Sequence, residues 1–166
     1  RRLVQPPKKI VDWMDIRDGM QVLEIGPGPG TFTFEAAGIV GEQGRLVALD
    51  IQPSIISRLI HRLKLKGFQS AAVVVASAHY LPFRDKAFDR VFMIGVLGEI
   101  PDKTRTLAEV KRILKDDGTL STGEILPDPD YPRQRTAINW CKIVGLELSR
   151  SQGEFLHYLL TFKKSV

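Results

Sequence analysis

Three glycines on alternate positions follow a short apolar stretch that contains a single acid. The run Val-Leu-Glu-Ile-Gly-Pro-Gly-Pro-Gly has its acid at Glu24 and its glycines at Gly26, Gly28 and Gly30. Because glycine has no Cβ, the backbone there can turn tightly and come into contact with a ligand. A helix that begins at Thr31 would direct its free N–H groups toward the same place. The pattern therefore predicts a ligand-binding turn between a strand and a helix.

A second apolar stretch, residues 45–50, ends in Asp50, twenty residues after Gly30. A carboxylate at the end of a neighbouring strand is suited to accept hydrogen bonds from the hydroxyls of a ribose. Together with the glycine turn, Asp50 predicts a cofactor that contains adenosine.

The glycine spacing disfavours a nicotinamide or flavin dinucleotide. That fingerprint is G-x-G-x-x-G, and Thr31 stands three positions after Gly28, where the third glycine is needed. Glu24 would also face a pyrophosphate unfavourably. An NAD-dependent oxidoreductase therefore remains only as a less favoured alternative.

Length and composition predict a single globular domain, residues 1–166. The chain is 43% hydrophobic and 26% charged, and no apolar run reaches the length of a membrane span. Its only cysteine, Cys141, has helical spacing with Ile138 and Val144, which predicts a packing role, and one cysteine fits a reducing, cytoplasmic location. The net charge of +5 is interpreted as solvated helix faces, so nucleic acid is not an expected partner.

Strand and helix signals alternate along the chain, which predicts an α/β fold with a doubly wound, mostly parallel sheet. A short opening helix is expected around Ile10, Trp13 and Met14. A hairpin that turns at Gln152 and Gly153 is expected at the C-terminus. The strands are predicted at 20–25, 45–50, 71–75, 88–94, 119–125, 146–149 and 155–162, and the later helices at 31–39, 54–66, 103–114 and 133–144.

The chain resembles the class I S-adenosylmethionine-dependent methyltransferases, in the broad group that includes ubiquinone and menaquinone C-methyltransferases. The E/D-x-G-x-G-x-G element of that family is present at residues 24–30, followed by Asp50. The L-P-F and F-D runs of the group are present at 81–83 and 88–89, and its E-x-x-R-x-L-K helix end at 109–118. The resemblance implies the Rossmann-like fold of this family, with seven strands and a C-terminal antiparallel hairpin.

The resemblance also implies a cofactor site for S-adenosylmethionine. The methionine end would lie over the three glycines with Glu24 nearby, Asp50 would accept both ribose hydroxyls, and Ile51 would pack on the adenine. Ser77 stands where the family usually has an aspartate for the adenine amino group, which lowers the expected affinity modestly. The implied cofactor-binding residues are Glu24, Gly26, Pro27, Gly28, Gly30, Thr31, Asp50, Ile51, Ser77, Ala78, Ile94 and Gly95.

Methyl transfer from a sulfonium is an in-line displacement that depends mainly on alignment of donor and acceptor, so no general base is assigned and the catalytic residues stay open. The acceptor is expected near the end of the fourth strand, with His79, Tyr80, Val96 and Leu97 as candidates on the substrate side. That strand lacks the N/D-P-P-Y/F box of many nucleic-acid and protein amine methyltransferases. Three scattered histidines and one distant cysteine predict no metal site.

The segments that could cover the acceptor are short. Residues 1–14 form an N-terminal cover segment, and residues 126–132 form a proline-rich loop instead of an inserted cap. Short cover segments imply an open site, a large or membrane-associated acceptor, or a pocket that a second subunit completes in a homodimer. The basic opening fits a weak membrane-surface contact, but a terminus without any such contact is slightly favoured. The leading hypothesis is a small-molecule or lipid-like acceptor. A SAM-binding partner subunit without catalysis is the alternative reading.

Overall fold

Strands and helices alternate along the chain, as the sequence predicts. The computed structural model describes residues 6–125, 130–154 and 156–166. The strands are β1 (Gln21–Ile25), β2 (Arg45–Asp50), β3 (Ala71–Val75), β4 (Phe88–Ile94), β5 (Leu114–Ile125), β6 (Leu146–Glu154) and β7 (His157–Lys164). The helices are α1 (Pro7–Asp12), α2 (Thr33–Val40), α3 (Pro53–Leu65), α4 (Lys103–Ile113) and α5 (Gln134–Ile143), with a short 3-10 turn at Leu97–Glu99.

The strands form one seven-stranded sheet in the order β3-β2-β1-β4-β5-β7-β6. Strands β1 to β5 are parallel, and β7 runs antiparallel between β5 and β6. The chain moves outward from β1 to β3 and then returns to the other side of β1 with β4. The strand order therefore reverses between β1 and β4, which is where open sheets of this kind bind ligands beyond the carboxyl ends of their strands. The predicted fold class is confirmed.

Helices cover both faces of the sheet. Neighbouring residues on a strand point to opposite faces, so Val22 of β1 packs with α1 and α2, whereas Leu23 packs with α4 and α5. On β2, Ala48 packs with α3, on the same face as α1 and α2. Because both faces are covered, the central strands are almost continuously apolar.

The opening helix is anchored by an aromatic stack of Trp13. The indole lies nearly parallel to the ring of His157, with centroids 6.3 Å apart, and Lys9 Nζ lies 5.7 Å from the Trp13 ring. Ile10 and Met14 are buried beneath the helix. Residues 1–5 of the predicted cover segment, and residues 126–129 of the predicted loop, lie outside the described residues.

Cys141 is buried in the core, which confirms its predicted packing role. Burial raises the pKa of its thiol to about 12, so the group is neutral at physiological pH. Among the helices described, none is long and apolar enough to cross a membrane.

Two predicted boundaries are wrong for physical reasons. Helix α2 begins at Thr33 instead of Thr31, because the glycine turn uses two further residues before the helix starts. The hairpin does not turn at Gln152 and Gly153, which pair with Leu159 and Tyr158 inside the β6–β7 ladder. Gly153 is required there because a Cβ would lie 2.4 Å from the carbonyl oxygen of His157.

The beginning of β5 also differs from the predicted turn. Leu114 already pairs with Phe88, and the next pair joins Thr119 to Arg90. The intervening residues 115–118 therefore leave the ladder as an irregularity within one strand, and the predicted turn at 116–118 lies inside it.

The L-P-F and E-x-x-R runs are joined by hydrogen bonds. Glu109 Oε2 accepts from the backbone N–H of Leu81 at 2.9 Å, and Arg112 donates to the carbonyl oxygens of Leu81 and Phe83. The same guanidinium pairs with Glu109 and with Asp85. The long segment between β3 and β4 is therefore fastened to α4.

Substitution Arg112→Met should lower the free energy of unfolding by about 2 kcal/mol, because two backbone carbonyls and two carboxylates lose a charged donor. Chemical denaturation at pH 7 measures this. The matched control Arg84→Met, at an exposed arginine with no hydrogen bond or ion pair in the described chain, should change stability by less than about 0.5 kcal/mol.

The pH dependence gives a second test of the same network. The hydrogen bond from Arg112 holds the pKa of Glu109 below its ordinary value, so this stabilisation is present at neutral pH and lost as the pH falls into the carboxyl range. The Arg112→Met variant should therefore lose less stability than the wild type as the pH falls from about 5 to about 3. Parallel stability curves would contradict the assigned ion pair.

Candidate cofactor site

The glycine turn between β1 and α2 depends on its glycines for different reasons. All three have positive φ: 73° at Gly26, 52° at Gly28 and 89° at Gly30. A Cβ on Gly26 would lie 2.4 Å from Val96 Cγ2, and one on Gly30 would lie 2.8 Å from Leu59 Cδ1. A Cβ on Gly28 would meet no atom within 4 Å. Gly26 and Gly30 therefore permit close packing, whereas Gly28 contributes its backbone conformation alone.

A buried hydrogen bond joins the two ends of this turn. Glu24, on β1, is only 2% exposed, and its Oε2 accepts from the hydroxyl of Thr33, the first residue of α2, at 2.5 Å. Burial raises the pKa of Glu24 to about 8, and the hydrogen bond from Thr33 opposes that rise. Glu24 therefore joins β1 to the start of α2 by a buried hydrogen bond. Thr33 was not among the predicted residues, and Thr31 is exposed.

A cavity of about 200 Å³ opens beside the turn at the carboxyl edge of the sheet. Seven of the predicted residues lie along it: Gly26, Asp50, Ile51, Ser77, Ala78, His79 and Val96. The prediction missed Ile25, Leu49, Gln52, Ala76, Glu99, Ile100 and Pro101. Several of these directly neighbour predicted residues along the chain, which is the one signal that could have found them.

The other predicted residues lie away from this wall. Leu97 is fully buried in the core against α4 and α5, so it has no surface to offer an acceptor. Tyr80 is 67% exposed, and its ring lies against the Arg105 guanidinium at 4.4 Å. The remainder do not line the cavity, and they are Glu24, Pro27, Gly28, Gly30, Thr31, Ile94 and Gly95.

Asp50 is held at the cavity by its own turn. Its Oδ1 accepts the backbone N–H of Gln52 at 2.9 Å, and its carbonyl oxygen accepts from Ala76 N at 3.1 Å. The next residue, Ile51, presents an apolar side chain that is 65% exposed at the cavity. A carboxylate and an apolar surface therefore stand side by side at the end of β2.

The Ser77 hydroxyl takes part in a local turn in the same wall of the cavity. Its hydroxyl accepts from His79 N at 3.2 Å, so its O–H remains as a donor. The segment is held in place from α4, because Arg105 Nε donates to the carbonyl oxygen of His79 at 3.1 Å.

The charges along the cavity favour a ligand that is neutral or cationic there. Asp50 and Glu99 are the carboxylates of its wall, and no Lys or Arg lines it among the residues described. The two carboxylates would repel a pyrophosphate, since no counter-charge offsets them. A ribose and a base are uncharged and a sulfonium is a cation, so none of these would be repelled. Within the same described part, no group of three or more His, Cys, Asp or Glu is placed to hold a metal ion.

Comparison with known proteins agrees with this geometry. The family model described as a methyltransferase domain matches residues 16–155. The chain belongs to that family. This membership confirms the resemblance to methyltransferases that the sequence motifs predict.

Two curated relatives are similar to this chain in sequence. Demethylmenaquinone methyltransferase of Bacillus cereus is 32% identical over 111 residues, 67% of this chain and 47% of the relative. The ubiquinone/menaquinone biosynthesis C-methyltransferase UbiE of Teredinibacter turnerae is 34% identical over 114 residues, 68% of this chain and 46% of the relative. The chain thus spans about half the length of the curated relatives it matches.

A solved structure shows the shared fold. The crystal structure of a SAM dependent methyltransferase from Aquifex aeolicus has a TM-score of 0.87 and 20% identity, covering 94% of this chain and 88% of that chain.

The substitutions Gly26→Ala and Gly28→Ala should have clearly different costs. Both place alanine at positive φ, which costs about 1 to 2 kcal/mol, but only Gly26→Ala also forces Val96 to move. Thermal and chemical denaturation should show Gly26→Ala to be the more destabilised by at least about 1 kcal/mol. The double variant Gly26→Ala/Val96→Ala should reduce the difference, and equal costs for both single variants would contradict the predicted clash.

Glu24→Gln should alter the pH dependence of folding. The folded-state pKa near 8 lies above the ordinary glutamate value, so the protonated form stabilises the fold at low pH. That contribution is lost as the pH rises from about 4.5 to about 8, by at most about 1.4 kcal/mol per pH unit. Stability measured from pH 5 to 9 should therefore decline less steeply in Glu24→Gln, and identical slopes would contradict the assigned burial effect.

Proposed function

We propose that this chain binds S-adenosylmethionine in the cavity at the end of β1 and β2 and transfers its methyl group to a lipid-like ring acceptor. The observation that carries the proposal is the wall of the cavity, where the described residues include two carboxylates and no Lys or Arg beside Gly26. The names of the relatives support a quinone-type acceptor, since they refer to demethylmenaquinone and to ubiquinone and menaquinone.

Asp50 has the geometry to bind the ribose in this proposal. One of its oxygens already accepts from Gln52 N, which orients the carboxylate and leaves its other lone pairs for two hydroxyls. Ile51 would cover one face of the adenine, and its large exposure is explained if a ring packs on it. The O–H of Ser77 would donate to a ring nitrogen, because the oxygen already accepts from His79.

The glycine turn would carry the methionine end of the cofactor. Gly26 lies at the cavity, and the positive φ of Gly28 and Gly30 keeps the following backbone turned. The role of Glu24 in this proposal is to position the turn through Thr33, since its side chain is buried and does not line the cavity.

Bound S-adenosylmethionine supplies a methyl group that its sulfonium already activates. The contribution of the chain is therefore to align the acceptor with the methyl carbon, and we assign no general base. His79 and Val96 lie along the same cavity and remain the proposed acceptor-side residues. Tyr80 would contact an acceptor only at the rim of the cavity, because its ring packs against the Arg105 guanidinium.

The acceptor side is proposed to be completed by the cover segment around α1 and by the segment before α5. A homodimer that completes the pocket, and a cytoplasmic location, stay predictions from the sequence.

Asp50→Asn should weaken the binding of S-adenosylhomocysteine at least roughly tenfold, because the ribose hydroxyls lose a charged acceptor. The asparagine oxygen can still accept from Gln52 N, so the turn and the fold should be retained. Isothermal titration measures the affinity, with Asp117→Asn as the control, an exposed aspartate that does not line this cavity. Unchanged affinity in Asp50→Asn would contradict the ribose contact.

An acceptor screen tests the proposed reaction. Labelled S-adenosylmethionine is offered with a prenylated naphthoquinol that has a free ring carbon, with a simple phenol and with a phospholipid. Methylation of the quinol is the expected outcome. Cofactor binding with no acceptor methylated would favour the partner-subunit alternative, and tighter binding of NAD than of S-adenosylhomocysteine would overturn the proposal.

A further inference from the structure

One segment of the chain contains basic residues and no acidic residue. Residues 51–84 contain five Lys and Arg and no Asp or Glu, so this segment accounts for the whole net charge of +5. The rest of the chain contains equal numbers of basic and acidic residues. Most of the segment's basic residues belong to the second half of α3 and its C-terminal end.

Helix α3 presents these cations on its exposed side. Its buried side consists of Ile56, Leu59 and Leu63, which pack on the sheet. We define the α3 surface by its exposed residues Arg58, His61, Arg62, Lys64, Leu65 and Lys66. Leu65 is 74% exposed between two lysines, so the surface combines cations with a protruding apolar side chain.

No carboxylate neutralises these cations among the residues described. Elsewhere in the described chain, Lys8, Arg90, Arg112 and Lys115 have acidic partners within 4.0 Å. On the α3 surface, Arg62 and Lys66 instead lie over the ring of Phe34, at 4.8 and 5.0 Å, and Arg62 also donates to the carbonyl oxygen of Pro29. Unpaired cations on one surface produce a positive potential that extends into solvent.

We propose that the α3 surface binds the headgroups of an anionic lipid surface. Each Lys or Arg near such a surface adds to the attraction, and an exposed leucine between cations can enter the headgroup boundary. Single-stranded nucleic acid is less well matched, because its binding relies on aromatic rings free for base stacking. Here the Phe34 ring already packs beneath two cations, and Phe68 is half-buried.

The α3 surface adjoins the glycine turn of the proposed cofactor site, because Arg62 contacts the carbonyl oxygen of Pro29 in that turn. Binding there would hold the cavity near a bilayer without any helix entering it. The proposal does not depend on methyl transfer, because lipid binding can be measured without cofactor or acceptor.

Vesicle sedimentation with the full 166-residue chain tests the proposal. Vesicles of phosphatidylcholine with about 30% phosphatidylserine should bind the chain at least roughly tenfold more tightly than vesicles of phosphatidylcholine alone. The difference should largely disappear at about 0.5 M salt, because exposed charges are screened. The double variant Arg58→Glu/Lys64→Glu should reduce binding to anionic vesicles at least roughly tenfold. Both residues are exposed and have no side-chain hydrogen bond or ion pair in the described chain, so folding should be retained and is checked by circular dichroism.

The matched control is Arg135→Glu/Lys142→Glu, which makes the same change of charge at exposed positions of α5, on the opposite face of the sheet. It should leave vesicle binding within about twofold of the wild type. An equal loss in both double variants would overturn the α3 surface as the binding site, as would wild-type binding that does not depend on phosphatidylserine. Tighter binding to poly-uridine RNA than to anionic vesicles, lost in Arg58→Glu/Lys64→Glu, would overturn the lipid assignment.

Discussion

The hydrogen bond between Thr33 and Glu24 is the constraint around which the site is arranged. It joins the end of β1 to the first residue of α2, so the glycine turn between them has both ends fixed. An acid is acceptable in that buried position only because it is hydrogen bonded and takes up a proton easily, as its raised pKa indicates. With the ends fixed, Gly26 is pressed against Val96 of the segment after β4, and the cavity forms on the outer side of that contact.

The second set of constraints places the other wall of the cavity. The segment after β3 has no regular structure, yet Glu109 and Arg112 hold its L-P-F part and Arg105 holds its His79 carbonyl. Helix α4 therefore does two things at once: it packs on the sheet with its apolar side and positions the Ser77–His79 turn with its polar side. Two motifs that are far apart in the chain are in this way parts of one structural unit.

Much of the fold could be predicted because its signals are local. Apolar runs that end in glycine or aspartate marked the parallel strands, and the buried stripe of α3 follows from residues spaced three and four apart. The errors discussed next arose where a contact between distant parts of the chain decided the outcome. Gly153 indicated a turn, but it lies within β6 because the His157 carbonyl passes too close for any Cβ. Leu97 was expected to face an acceptor, but the packing of α4 and α5 buries it completely.

The sequence by itself determined the order of strands and helices, the glycine turn with its downstream aspartate, and the family to which these belong, because each is encoded by residues close together in the chain. Only the tertiary structure decided that Thr33 is the partner of Glu24 and that Glu99 and Pro101 share a wall with Ser77. It also decided that the unpaired cations of α3 face solvent together. These relations join residues on different strands and helices, and they depend on which backbones the packed sheet brings together.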